Sequence, residues 1–150
     1  MERVATAAGW AIRPFRMEDG EACLRIFSDW VKTADWLSNP KPSILELGAV
    51  LTRSRVWVAD VDKAGVVGFL SMSAKTRYVD HLFIDLDWRF CGIGSGLLET
   101  ARASANRPLE LTVQDVNIRA RRFYQRLGWI DMGAEKSNRG EPSRRLRSPE

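Results

Sequence analysis

The stretch Ile84-Asp85-Leu86-Asp87-Trp88-Arg89-Phe90-Cys91-Gly92-Ile93-Gly94-Ser95-Gly96-Leu97-Leu98 decides the fold, because an apolar strand passes through a short turn into three glycines that open a helix. The first four N–H groups of a helix have no partner inside it, and the aligned peptide dipoles place about half a positive charge at that end. An anion is favoured there, and a pyrophosphate is the expected occupant. Glycine at 92, 94 and 96 lets backbone donors approach the phosphate oxygens, which a side chain would hold off.

Spacing discriminates among the nucleotide-type ligands that use such a loop. A dinucleotide fold reads G-x-G-x-x-G directly after its strand, with an acidic residue about 20 positions later. Here the glycines alternate, and about six residues separate the apolar strand from Gly92. Asp115 stands near the distance of a ribose-binding acid, so a nicotinamide-binding protein remains an alternative. A P-loop is excluded, since no Gly-Lys-Ser/Thr follows the glycines.

The run Arg89 to Gly94 has the form R-x-x-G-x-G, preceded by Leu82-Phe83-Ile84 and followed by Leu97-Leu98. A second block consists of Leu111-Thr112-Val113, then Asn117, Ala120, Phe123, Tyr124, Leu127, Gly128 and Trp129. In this order and separation the two blocks resemble the GCN5-related N-acetyltransferase (GNAT) family, and the resemblance extends from about Ile12 to Met132. It implies an α/β (α+β) fold: a mixed, mostly antiparallel sheet with a splayed parallel strand pair, flanked by helices. It further implies transfer of an acetyl group from acetyl-CoA to a primary amine of a small molecule or of a protein or peptide. A homodimer is compatible with it.

By the same resemblance, the pantetheine arm lies in the gap between the splayed strands and pairs with backbone groups of Leu82, Phe83 and Ile84. Backbone N–H groups of Arg89, Phe90, Cys91, Gly92, Ile93 and Gly94, reaching Ser95, hold the pyrophosphate, with Arg89 adding charge. Asn117 either contacts the cofactor or caps its helix. The attacking amine must be neutral, yet a free alkylamine has a pKa of about 10.4, so a base or a water chain must take a proton. Asp80 and His81, in the strand entering the site, are the candidates for that base. Alternation points them to opposite faces. An oxyanion needs a preorganised donor, for which a backbone N–H near Ile84 is expected. Tyr124 occupies the family's tyrosine position and is the candidate general acid for the departing thiolate. The other reading, of a different class, is an acyl-CoA-binding regulatory module with little catalysis.

The chain has 150 residues, 45% hydrophobic and 28% charged, which suits one globular acyl-CoA N-acyltransferase domain over 1–150, with 1–9 and about 135–150 irregular. Only Cys23 and Cys91 are present, far apart and in no C-x-x-C pattern, and His81 is the sole histidine. Neither a disulfide framework nor a metal site is expected. No export signal opens the sequence, and no run approaches the 18 apolar residues of a membrane span, so a cytoplasmic protein without membrane contact is expected. The net charge of +4 is concentrated in Arg119, Arg121, Arg122 and Arg126 and in Arg139, Arg144, Arg145 and Arg147. A polyanionic cofactor, a solvated helix face and a basic tail account for it, and no nucleic-acid partner is implied.

Along the chain, Ala11 to Arg13 predicts a first strand ended by Pro14. A helix follows, begun by Glu18 and Asp19 and carrying Cys23, Ile26, Phe27 and Trp30 at i, i+3, i+4 and i+7. Thr33 to Pro42 breaks regularity at Asn39-Pro40 and Lys41-Pro42, and Ile44 to Leu51 predicts a second helix. Val56 to Asp60 and Val66 to Ser73 form a hairpin, Tyr78 to Ile84 the strand into the site, Gly94 to Ala105 the cofactor helix, and Leu109 to Val113 its parallel neighbour. Asn117 and Gly128 bound the next helix. Phe27, Trp30, Trp36 and Trp129 could wall a pocket for a small amine; Phe27 and Trp30 also fit the buried stripe, and Trp36, in the irregular segment, is the better pocket candidate. Arg144 to Arg147 reads as a poor strand with Leu146 its one apolar residue, hence a short edge strand or a frayed tail.

Overall fold

The hairpin that seeds the larger sheet joins Arg55–Val61 and Gly65–Met72, and its turn holds Lys63 and Gly65 at positive φ. A computed structural model of the chain describes residues 4–5, 9–34, 44–89, 91–137 and 140–150. The strands are β1 (Val4–Ala5), β2 (Trp10–Pro14), β3 (Arg55–Val61), β4 (Gly65–Met72), β5 (Val79–Ile84), β6 (Glu110–Gln114), β7 (Ile130–Lys136) and β8 (Pro142–Arg147). The helices are α1 (Gly20–Thr33), α2 (Ile44–Arg53), α3 (Ile93–Ala105) and α4 (Ile118–Arg126). β1 to β5 pair antiparallel in sequence order. Successive strand residues face opposite ways, so each face is buried separately. Val56, Val58 and Phe69 pack with Cys23, Ile26, Phe27 and Leu47 of α1 and α2. Ile12, Trp57, Leu70 and Met72 pack with Ile93, Leu97 and Ala101 of α3.

Entry into α1 is fixed by a buried ion pair. Arg13 donates from Nη1 and Nη2 to Asp19 at 2.8 Å each, and from Nε to Asp60 at 3.0 Å, while the Arg16 N–H donates to Asp19 at 2.7 Å. Burial of Asp19 opposes its ionisation, but the bonds from Arg13 and Arg16 outweigh that and hold its carboxyl below the usual range. Removing one partner of a desolvated, two-pronged pair strands the other charge. Arg13→Met is therefore expected to cost about 3–5 kcal/mol in urea unfolding, and Arg13→Met with Asp19→Leu to recover most of it. Equal stability of parent and single variant would contradict this account. The depressed Asp19 carboxyl contributes stability at pH above its unfolded value near 3.8, and that contribution is lost as pH falls through the folded value.

The second sheet has the order β6-β8-β7, antiparallel throughout. The strand expected at Arg144 to Arg147 as an edge or frayed tail is its central strand. Ser143 and Leu146, on opposite faces of this strand, are both buried. Its arginines are paired: Arg144 with Asp131 at 3.0 Å, and Arg145 with Glu110 at 2.9 Å and Glu135 at 3.3 Å. Arg145 also lies over the Tyr78 ring, 4.8 Å from its centroid. Charge neutralisation by neighbouring strands substitutes here for an alternating apolar pattern. The expected irregularity of 1–9 and 135–150 is corrected too, since Val4–Ala5 pairs with β2 and Pro142–Arg147 is a full strand. The strand expected first is β2 and runs through Pro14, and the second helix runs on to Arg53. The turns at Asn39-Pro40 and Lys41-Pro42 lie outside the described residues, as do Trp36, Phe90 and Arg139.

The two sheets meet at one parallel bridge, Tyr78 to Glu110, where the Glu110 N–H donates to the Arg77 carbonyl at 3.2 Å. Beyond that point β5 and β6 belong to separate sheets. This is the splayed parallel pair.

Candidate active site

The parted strands enclose a cavity of about 680 Å³, lined by Val79 to Ile84 of β5, Leu111 to Gln114 of β6, the glycine loop and α4. In β5 the Asp85 N–H, just past the strand end, donates to the Val67 carbonyl of β4 at 2.7 Å. In an antiparallel ladder alternate residues turn their polar groups to opposite sides, so the N–H and C=O groups of Leu82 and Ile84 point away from β4, into the gap. Phe83 turns its backbone to β4 and its ring to α1, where it stacks near Trp30 with centroids 4.7 Å apart. An extended chain in the gap would thus meet donors and acceptors from Leu82 and Ile84.

At one end of the gap α3 begins at Gly92, which caps it with φ +83, the left-handed region that favours glycine. Arg89, Gly92, Ile93, Gly94 and Ser95 all line the cavity. The Cys91 side chain is exposed. Arg89 is partly desolvated and sits near Arg119, and both effects lower its affinity for a proton. Two cations on the same wall as a helix N-terminus make a positive potential that a bound anion relieves. The glycines divide the work differently from the sequence reading. A Cβ on Gly94 would lie 3.2 Å from Phe123 Cζ, so this glycine lets α4 close on the loop. A Cβ on Gly96 would lie 2.7 Å from Trp10 Cη2, so Gly96 accommodates the indole rather than a phosphate.

Asn117 caps α4: its side-chain oxygen accepts from the Ala120 N–H at 3.2 Å, and the residue also borders the cavity. Gly128 follows the helix with φ +82. Between them, Ala120, Phe123, Tyr124 and Leu127 face inward. Tyr124 is 7% exposed, packed between Phe123 at 5.1 Å and Trp129 at 5.0 Å, and lines the cavity. Burial pushes its phenol above the ordinary range, so it stays protonated across physiological pH.

Asp80 and His81 both border the cavity at the free edge of β5. A bulge opposite Ser71 and Met72 displaces the register at Asp80. The Asp80 side chain is solvent-accessible, and partial desolvation raises its carboxyl pKa while the Arg53 charge pulls the other way. His81 lies among Phe27, Phe69 and Phe83, with Nδ1 and Ser71 Oγ sharing a 2.8 Å hydrogen bond. Burial pushes its pKa down to about 4, so the ring is neutral at pH 7.

Of the two aromatic residues that fit either the α1 stripe or a pocket wall, Trp30 is half-buried and lines the cavity, whereas Phe27 is core. Thr112 and Arg119 also border it. An outward position on a strand and a basic position on a helix carry no local mark of a cavity; only the splay brings them to it. Trp129 packs on Tyr124 and borders a separate, smaller cavity near the C-terminus.

The family model for the acetyltransferase (GNAT) domain matches residues 45–143. Peptidyl-lysine N-acetyltransferase YjaB of Escherichia coli is 35% identical over 136 residues, covering 88% of this chain and 90% of YjaB. Its Salmonella typhimurium counterpart is 36% identical, covering 87% and 91%. Among solved structures, apo YjaB from Escherichia coli superposes with a TM-score of 0.74 at 31% identity, over 93% of this chain and 97% of that one. A GCN5-related N-acetyltransferase from Rhodopseudomonas palustris gives 0.78 at 17% identity, over 93% and 95%, a likeness of fold.

Proposed function

The chain belongs to the GNAT acetyltransferase family and transfers acetyl groups from acetyl-CoA to an amine, and on that premise we propose that its acceptor is the ε-amine of a peptidyl lysine and that 1–150 work as one catalytic domain. The acceptor class is supported by the relatives named peptidyl-lysine N-acetyltransferase over most of their length. The observation that carries the site is the gap between β5 and β6, bordered by the glycine loop and Tyr124 on one side and by Trp30, Asp80 and His81 on the other. Acetyl-CoA supplies the activated acyl group as a thioester. No described helix is long and apolar enough to cross a membrane.

The residues divide into roles. Backbone groups of Leu82 and Ile84 hold the pantetheine arm, and the N–H groups of the 89–95 loop hold the pyrophosphate, with Arg89 adding positive potential. Ile84 N–H is the donor for oxyanion charge. Asn117 sets the start of α4, and thereby the place of Tyr124, whose hydroxyl donates toward the departing sulfur. Of the two candidate bases, Asp80 has the more suitable environment. It is accessible and anionic at neutral pH, attracts an incoming ammonium, and can accept a proton directly or through water. His81 is less suited: it sits among Phe27, Phe69 and Phe83, shares its Nδ1 with Ser71 Oγ, and as a neutral ring offers no charge to attract an ammonium.

Asp80→Ala is expected to lower kcat/KM for a lysine peptide about tenfold to 100-fold while leaving CoA affinity unchanged. Because the Asp80 carboxyl is raised, activity of the parent falls on the acid side as that group protonates, and this inflection should vanish in the variant. Superimposable pH profiles would remove Asp80 from the mechanism. The acceptor itself is tested by mass spectrometry of products from a panel: a lysine peptide, the same peptide with only its N-terminal amine free, and a small polyamine. Faster acetylation at lysine is expected; preference for either of the others would redirect the assignment.

A further inference from the structure

Beneath the first turn of α3 lies the indole of Trp10, the first residue of β2 and 8% exposed. Its ring carbons come within 2.7 and 2.9 Å of the place a Cβ on Gly96 would take, and within 3.8 Å of that on Gly92. Positions 92 and 96 are one helical turn apart, so two glycines floor the groove in which the indole rests. From there Nε1–H donates to the Cys91 carbonyl at 3.1 Å.

That carbonyl shares a peptide unit with the Gly92 N–H, and in a trans peptide the two point in opposite directions. Tying the Cys91 oxygen down to β2 therefore turns the Gly92 N–H away from the sheet. Gly92 lines the cavity at the helix start. A peptide flanked by glycine has little steric resistance to flipping, so some anchor must choose its orientation. We propose that Trp10 is a positioning residue for the cofactor loop: its indole N–H aims the Gly92 amide at the pyrophosphate of acyl-CoA. The inference rests on the acyl-CoA reading of this loop. It gives Gly96 a role, since any side chain there would expel the anchor, and it links β2 to a loop far along the chain.

Two variants test it. Trp10→Phe keeps an aromatic ring and removes the donor; benzothienylalanine at position 10 keeps the bicyclic shape and replaces the N–H by sulfur, which serves if the smaller ring loosens the fold. Calorimetric titration with coenzyme A should show the Kd rising about tenfold in either, the scale of one charge-assisted hydrogen bond. The KM for acetyl-CoA should rise in parallel with kcat unchanged. With S-acetylpantetheine, which lacks the pyrophosphate, kcat/KM should equal that of the parent. Unaltered coenzyme A affinity in the benzothienyl variant, or an equal loss with the truncated thioester, would overturn the proposal. A parent protein that failed to bind coenzyme A would instead overturn the cofactor reading, and the proposal with it.

Discussion

Tyr124→Phe is expected to reduce kcat about 100-fold, the low end of what a positioned proton donor contributes. Affinity for coenzyme A and the thermal midpoint should stay within error. The reasoning is chemical as well as positional. A thiolate leaving group has a proton affinity near that of a cysteine thiol, about 8.5, so its departure gains from a donor held in place. Tyr124 is fixed between Phe123 and Trp129, at the cavity wall, and its burial keeps the proton on oxygen. The same burial makes complete proton transfer uphill, so in the proposed role the hydroxyl would act mainly by hydrogen bonding to sulfur as charge develops there. Phenylalanine preserves the ring contacts and deletes that bond alone. Unchanged turnover would make Tyr124 a packing residue.

Gly94→Val is the second large effect. A Cβ at this position already lies 3.2 Å from Phe123 Cζ, and the two γ-methyl groups of valine must enter the space between α3 and α4 or the cavity. Either displacement disturbs the loop donors, and moving Phe123 also shifts the adjacent Tyr124. Loss of two charge-assisted hydrogen bonds at about 1.5–2 kcal/mol each corresponds to about 100-fold to 1,000-fold in affinity. Calorimetry should therefore show coenzyme A binding nearly abolished in a chain with native circular dichroism. Gly94→Ala, which asks Phe123 to yield only a few tenths of an ångström, should fall between. Retained affinity in the valine variant would mean that the pyrophosphate lies elsewhere.

The features set by local sequence were readable, and those set by distant partners were not. The strand, turn and glycines from Ile84 to Leu98, the Asn117 cap, the Gly128 stop and the 55–72 hairpin each depend on neighbours within a turn or two. β8 depends on Glu110, Asp131 and Glu135, acids on other strands that turn Arg144 and Arg145 from a tail into part of a central strand. The indole of Trp10 meets Cys91 across 81 positions, which no local pattern signals. The sequence reading also gave all three glycines one purpose, whereas packing against Trp10 explains Gly96 and contact with Phe123 explains Gly94. For Asp80 and His81 simple alternation does not apply, because a bulge at Asp80 interrupts it, and both residues border the cavity.

The central claim is that acyl-CoA occupies the gap between β5 and β6 with its pyrophosphate on the start of α3. Amide chemical-shift mapping during titration with coenzyme A tests it residue by residue. The account predicts the largest shifts at Leu82, Ile84 and Gly92 to Ser95, a smaller set in α4, and little change in β3 or β7. Shifts clustered on another surface, or none as coenzyme A is raised to large excess, would contradict it.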